Sequence, residues 1–327
     1  MKTRSFPKII LTMSALFIFC GLLTATSGAA SFTVNNTGDN GGVNPAPGAG
    51  TGTLRQAIVD ANATSGADTI TFTVTGTILL ASELPGLFDD VAISGPGANA
   101  LTVKRDPSAA AFRIFLIGVG KTVTISGLTI TNGSSTNFGG GINNGGTLTV
   151  TNSTISGNSG GTFGGGGIYN FGGEGGSATL MVINSTLSGN SAANRGGGIF
   201  NDSFYGSSTV TITNSTLSDN SAYDGGGIYN ENGGEGGSAT VTVTNSTFSG
   251  NSADGTGGGI YNVTAPGSTT VTVTNSTFSG NSAHTFSAGG IFNNCGTRSP
   301  TAHSAATQAA STTAAASTTT ARPTARR

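Results

Sequence analysis

The stretch ATVTVTNSTFSGNSADGTGGGIYN, Ala239 to Asn262, decides the fold. Val241 and Val243 alternate with Thr240, Thr242 and Thr244, the period-two pattern of a strand with one buried face. Corner chemistry follows at Ser249-Gly250-Asn251 and again in Gly257–Gly259, because Gly and Asn tolerate the positive backbone angles of sharp turns. The stretch then closes on Ile260, Tyr261 and Asn262.

Outward from this stretch, the same phrase returns with small changes. Its core reads TNSTISGNS from Thr151, INSTLSGNS from Ile183, TNSTLSDNS from Thr213, and TNSTFSGNS from Thr244 and Thr274. The first Asn falls at 152, 184, 214, 245 and 275, in steps of 32, 30, 31 and 30 residues. The glycine phrase keeps the same beat, ending at Asn144, Asn170, Asn201, Asn230 and Asn262 and opening again at Gly289. A period near 30 residues means stacked units, each burying its apolar side against its neighbours. Short strands with corners at fixed phase predict an all-β chain, a right-handed single-stranded parallel β-helix of eight to ten coils. A propeller blade would need ~40–45 residues and four strands.

Composition agrees with a solenoid rather than an ordinary domain. Gly supplies 55 of 327 residues, Trp is absent, and only 8% of residues are charged. The formal net charge is −1, but the repeats are acidic. Between Thr122 and Gly296 the only strong base is Arg195, against Glu174, Asp202, Asp219, Asp224, Glu231, Glu235 and Asp254. Seven acids against one base leave −6, which repels nucleic acid and anionic membranes, so no nucleic-acid partner is expected.

Four segments are expected. Residues 1–30 read as a signal peptide: Lys2, Arg4 and Lys8, an apolar run from Ile9 to Leu23, then small residues to Ala30. The apolar run is short for an uncleaved anchor, the alternative reading. Export to the cell surface or the medium follows. Residues 31–121 form an N-terminal cap with irregular first coils. Within it TLRQAIVDANA, Thr53 to Ala63, predicts a short capping helix with Leu54, Ile58 and Ala61 on one face. Residues 122–294 carry the regular coils. Residues 295–327 contain no Val, Ile, Leu, Phe or Tyr and read as a disordered low-complexity tail or as the product of a frameshift near Cys295. Removal of the signal would leave Cys295 as the single thiol, which excludes an intrachain disulfide framework.

Two family resemblances rest on these residues. FSGN at Phe248–Asn251 and Phe278–Asn281, with the GGGI phrase, resembles the paired FxxN and GGA[ILV] repeats of polymorphic outer-membrane proteins. Ile155, Leu187 and Leu217 stand in place of Phe in the other copies. FTVNNTGDNGG from Phe32, followed by GTLRQAIVDANA, resembles the N-terminal CSLREA-type module of large secreted bacterial proteins, with Gly52 at the Cys position. The resemblances imply a pectate-lyase-like right-handed β-helix at the cell surface or outside the cell. The residues after Cys295 lack the alternating ten-residue segments of a membrane barrel, so no self-encoded barrel is expected.

Parallel coils set repeat-equivalent residues about 4.8 Å apart. Three Asn columns follow: Asn152 to Asn275; Asn158, Asn190, Asn220, Asn251 and Asn281; and Asn170 to Asn293. Stacked amides bond one to the next, so these read as structural ladders, with sugar binding as the alternative. Tyr169, Phe200, Tyr229, Tyr261 and Phe292 each follow the inward Ile, so alternation turns them outward. They form either a ligand platform or a stack that shields a flat sheet. Arg195 and Asp224 both precede a glycine run in adjacent coils and are expected to face each other as a weak surface pair or a polysaccharide-binding charge.

Catalysis has little support in the repeats. Glu174 and Glu235 occupy matching positions two coils apart, no Lys lies in the repeats, and His284 and His303 sit at their end or beyond. GPGANA at Gly95 mimics a dinucleotide fingerprint but precedes a strand, and GGEGGS lacks the Asp of a calcium nonapeptide. No catalytic, cofactor or metal residue is therefore assigned. The five NST triplets fit the glycosylation pattern, but the repeat itself accounts for them. The sequence predicts an exported, monomeric, structural or adhesin-like β-helix that binds glycan or host-cell surface through its aromatic face. The alternative is a polysaccharide lyase or glycoside hydrolase of the same fold.

Overall fold

A computed structural model describes residues 28–173, 175–264, 267–285, 288–295 and 304–309. The expected signal segment up to residue 27, Glu174, His303 and most of the tail lie outside the described residues. The chain winds as an all-β parallel solenoid of about seven turns, fewer than the eight to ten expected. The count falls short because strands occupy all three sides of a turn only from Phe115–Ile117 onward.

Three walls line the solenoid, and every strand pairing within them is parallel and follows chain order. The first wall has ten strands, from Ser31–Val34 through Ser238–Thr244 and Ser268–Thr274 to Ser304–Ala309. The second has eight, beginning at Gly76–Leu80 and ending at Thr277–Ser279. The third has seven, from Phe115–Ile117 through Ile228–Asn232 to Ile291–Cys295. A narrow corner sheet of two-residue strands such as Ser221–Ala222 lies between the second and third. The strand Ser304–Ala309 pairs with Ser268–Thr274, so part of the stretch read as a tail continues the first wall.

The lumen is filled from all three walls. Val241 and Val243 from the first, Phe248 from the second and Ile260 from the third are fully buried, as are their equivalents in most other coils. Phe248 and Phe278 stack with ring centroids 4.7 Å apart. Each such side chain contributes about 1.5–3 kcal/mol by leaving water, and identical registers stack like on like along the axis. The helix Leu54–Ala63 lies against the first two strands of the first wall, with Leu54, Ile58 and Ala61 buried as expected. Thr53 caps it by accepting from the Gln56 backbone N–H at 3.1 Å. Arg55 is buried there and donates bidentately to Asp39 at 2.8 and 3.0 Å.

The corners use three different devices. Between the first and second walls, Asn152, Asn184, Asn214, Asn245 and Asn275 take φ near 50° and are exposed. Their side chains therefore make no buried ladder, which corrects that part of the three-column expectation. The ladder is made instead by the neighbouring serines. Ser153, Ser185, Ser215 and Ser246 each donate a backbone N–H to the serine hydroxyl of the next coil at 3.1 Å. In the second column, Asn158, Asn190, Asn220 and Asn251 are buried and linked amide to amide through to Asn281. The third column, Asn144 to Asn293, is linked in the same way at 2.7 Å per step.

Candidate functional site

The outer side of the third wall holds the chemistry. Tyr169, Phe200, Tyr229, Tyr261 and Phe292 do leave the lumen, and the first three form an apolar cluster separate from the main core. They are not an open platform. Tyr169, Phe200 and Tyr229 are at most 5% exposed, while Tyr261 and Phe292 are half-buried. Successive rings lie 5.2, 5.3, 5.0 and 5.5 Å apart, so the column is a continuous stack. Phe138 extends it, 4.3 Å from Tyr169.

Two residues further along each strand, a second outward column reads Phe171, Asp202, Glu231, Val263, with Asp202 and Glu231 in direct register. The Tyr169 hydroxyl donates to Asp202 Oδ2 at 2.7 Å, and Arg195 Nη1 donates to Glu231 Oε2 at 2.7 Å. The Arg195 guanidinium also lies over the Phe200 and Tyr229 rings, 5.8 and 5.3 Å from their centroids. Arg195 and Asp224 are neighbours across a backbone bridge, as the sequence suggests, but the arginine takes Glu231 as its ion-pair partner. Asp224 Oδ1 accepts instead from the Thr256 backbone N–H at 2.8 Å.

Beside this cluster the corner loops of three successive coils enclose a groove of about 420 Å³. Thr162 and Phe163 come from one coil, Asn194 and Arg195 from the next, Tyr223 and Asp224 from the third. Phe163 and Tyr223 are 50% and 47% exposed, so aromatic surface flanks a polar centre. Asn194 donates its side-chain amide to the Thr162 carbonyl. Its carbonyl oxygen and the remaining guanidinium donors of Arg195 are chemically suited to hydroxyl groups of a ligand.

Sequence reasoning did not single out Asp202, Glu231, Phe163 or Tyr223. Asp202 and Glu231 each stand one place after the Asn of the glycine phrase in adjacent coils, and that shared phase was the available signal. Glu235, weighed as a catalytic carboxylate, sits on an exposed turn remote in phase from the cluster. Among the described residues no group of three or more His, Cys, Asp or Glu side chains could hold a metal ion. Among them, too, no helix is long and apolar enough to cross a membrane.

Burial pushes the carboxyl groups of Asp202, Glu231 and Asp224 above the ordinary carboxylate range, and the charge of Arg195 pulls each of them back down. A carboxyl group raised in the folded state contributes stability that is present below its unfolded pKa and is lost as pH rises through the folded value. Arg195→Ala removes the compensating cation, so its thermal destabilisation is small near pH 4 and largest near pH 7. Melting curves of both proteins at the two pH values check this. An equal loss at both pH values means the arginine acts only by packing.

These features define an outward-decorated parallel β-solenoid with a ligand-sized groove on one corner. The chain belongs to the right-handed β-helix region family, whose model matches residues 88–278. No curated protein and no solved structure gives a significant match.

Proposed function

We propose that this chain is an exported, non-catalytic β-helix protein of the cell surface or extracellular space that holds a glycan in the groove around Arg195. The β-helix family is compatible with such a role. The export-like leader, the CSLREA-type resemblance and the polymorphic outer-membrane repeat resemblance support the same location. The observation that carries the binding reading is the groove itself. Phe163 and Tyr223 stand two coils apart, roughly 10 Å at parallel-strand spacing, with Arg195, Asn194 and Asp224 between them. Aromatic faces bind the apolar side of a sugar ring, and the amide, guanidinium and carboxylate take its hydroxyls.

The test is retention of the protein on immobilised glycans and intact cells. The double variant Phe163→Ala/Tyr223→Ala should weaken binding at least tenfold, about 1.4 kcal/mol, with the fold retained by circular dichroism and only a small fall in melting temperature, from the lost stack of Phe163 on Phe138. Unaltered retention overturns the groove assignment. Tyr229 and Tyr261 are unsuitable probes, since one is buried and the other half-buried in the stack.

One observation favours the enzymatic alternative: Asp202 and Glu231 are adjacent carboxyl groups with raised pKa values, the raw material of glycoside hydrolysis. Release of new reducing ends from an acidic polysaccharide by the parent protein, and none by Glu231→Gln, would replace the binding reading with a hydrolase.

A further inference from the structure

The outer face of the first wall is an ordered array of threonines. One column runs through six consecutive coils without interruption: Thr122, Thr147, Thr179, Thr209, Thr240 and Thr270, each in register with the next. A second column holds Thr124, Thr149, Thr211, Thr242 and Thr272, interrupted only by Met181. A third holds Thr151, Thr213, Thr244 and Thr274, interrupted by Ile183 and preceded by Ser126. The inward positions between them are the buried Val, Leu and Ile of the lumen, which fixes the threonines outward.

A second feature is independent of the pattern. The hydroxyls of Thr147, Thr149, Thr209, Thr211, Thr240, Thr242, Thr270 and Thr272 make no hydrogen bond among the described residues, although buried Thr264 and Thr269 pair with each other at 2.6 Å. A hydroxyl on a half-exposed wall with no protein partner bonds water. From the strand Thr122–Ser126 to the strand Ser268–Thr274 the outer face carries no charged and no aromatic side chain. The third wall, by contrast, carries Asp202 and Glu231, with Arg195 reaching over it from a corner loop.

The wall therefore presents water with a rectangular net of hydroxyl and methyl groups. Its spacing is about 4.8 Å between strands and roughly 6.7 Å along them. That net is close in both directions to the arrangement of oxygens on the prism face of hexagonal ice. Charges would gather tight hydration shells of their own and break such order, and a neutral hydroxyl lattice complements a neutral hydrogen-bonded one. Methyl groups between the hydroxyls favour ordered water over bulk water. The inner Asn and Ser ladders hold successive coils in one register, so the array is fixed before it meets a surface.

We propose that the threonine wall is an ice-binding surface, a function separate from the glycan groove. The purified full chain should hold a growing ice crystal at a temperature below its melting point, shape it into facets and adsorb to ice as a fluorescent conjugate. Thr211→Lys/Thr242→Lys should lose all three effects. Circular dichroism should stay at the parent spectrum, since neither hydroxyl has a protein partner to lose, while the two in-register lysines repel and lower the melting temperature slightly. A second pair, Thr240→Tyr/Thr270→Tyr, should lose them by bulk rather than charge. The groove variant Phe163→Ala/Tyr223→Ala should keep them. Unfaceted growth with the folded parent protein overturns the proposal, as does retained activity in both wall variants. It is also overturned if the parent is a dimer that the Lys pair dissociates, or if it binds flat polysaccharide through this wall without affecting ice.

Discussion

Asn220→Ala lowers the unfolding free energy by about 3–5 kcal/mol, among the largest single-residue effects expected in this chain. Asn220 is fully buried, and its side chain makes four hydrogen bonds. Its Oδ1 accepts from the Asn190 backbone N–H at 3.0 Å and from Asn190 Nδ2 at 2.9 Å. Its Nδ2 donates to the Leu187 carbonyl at 3.0 Å and to Asn251 Oδ1 at 2.9 Å. Alanine removes all four and leaves the Asn190 N–H in a dry corner. An unpaired buried group costs its full desolvation, about 1–3 kcal/mol, before the cavity is counted. Asn214→Ala, in the exposed first column, should cost only about 1 kcal/mol, from the φ of 50° that alanine resists. The two variants share a residue type and a repeat, so the gap between their urea midpoints shows by how much the buried ladder outweighs the positive φ of the exposed corner. Equal shifts would mean that the amide column contributes nothing beyond its corner geometry.

That contrast also shows how much of the fold the sequence carries. Val241 and Val243 against Thr240 and Thr242 reveal a wall directly, because inward and outward positions differ in chemistry. Periodicity is blind when two neighbours share one phase. Asn245 and Ser246 both recur in the five coils that carry the NST triplet, and only the positive φ at Asn245 decides that the amide turns out and the serine turns in. The aromatic column was legible as outward, but its cover was not. Arg195 reaches it from a corner loop and Phe138 from an earlier coil, and neither approach is written in the local pattern. The groove was hidden for the same reason, since Phe163, Asn194 and Tyr223 fall in the loops where the repeat is least regular. Ser304–Ala309 offers no alternating large side chains, so its place in the first wall depends on the strand beside it rather than on its own composition.

The glycine run sets the other large effect, and its cause is space rather than backbone angle. Gly226 has no positive φ, unlike Gly225 before it at 65°. A Cβ built on Gly226 would come within 2.6 Å of the Gly258 carbonyl oxygen and closer still to that of Ser252, both in the next coil. The same environment recurs at Gly197, where the added atom would meet the backbone of Ser221 and Gly226. Backbone oxygens held by interstrand hydrogen bonds cannot swing aside as a flexible side chain can. Gly226→Ala must therefore push one coil off the next, and it should cost about 3 kcal/mol or more, at or beyond the upper end for overpacked sites. Gly189 supplies the control. Its φ is 60°, yet a Cβ there meets nothing within 4 Å, so Gly189→Ala should lose only the 1–2 kcal/mol of a left-handed non-glycine residue. Close approach also predicts where the damage spreads. Hydrogen exchange in Gly226→Ala should rise at Ile228 and Ile260, the strand starts that this contact holds in register, while the first wall stays protected. Uniform loss of protection, or a loss no greater than that of Gly189→Ala, would show that the glycine run is needed only for its turns.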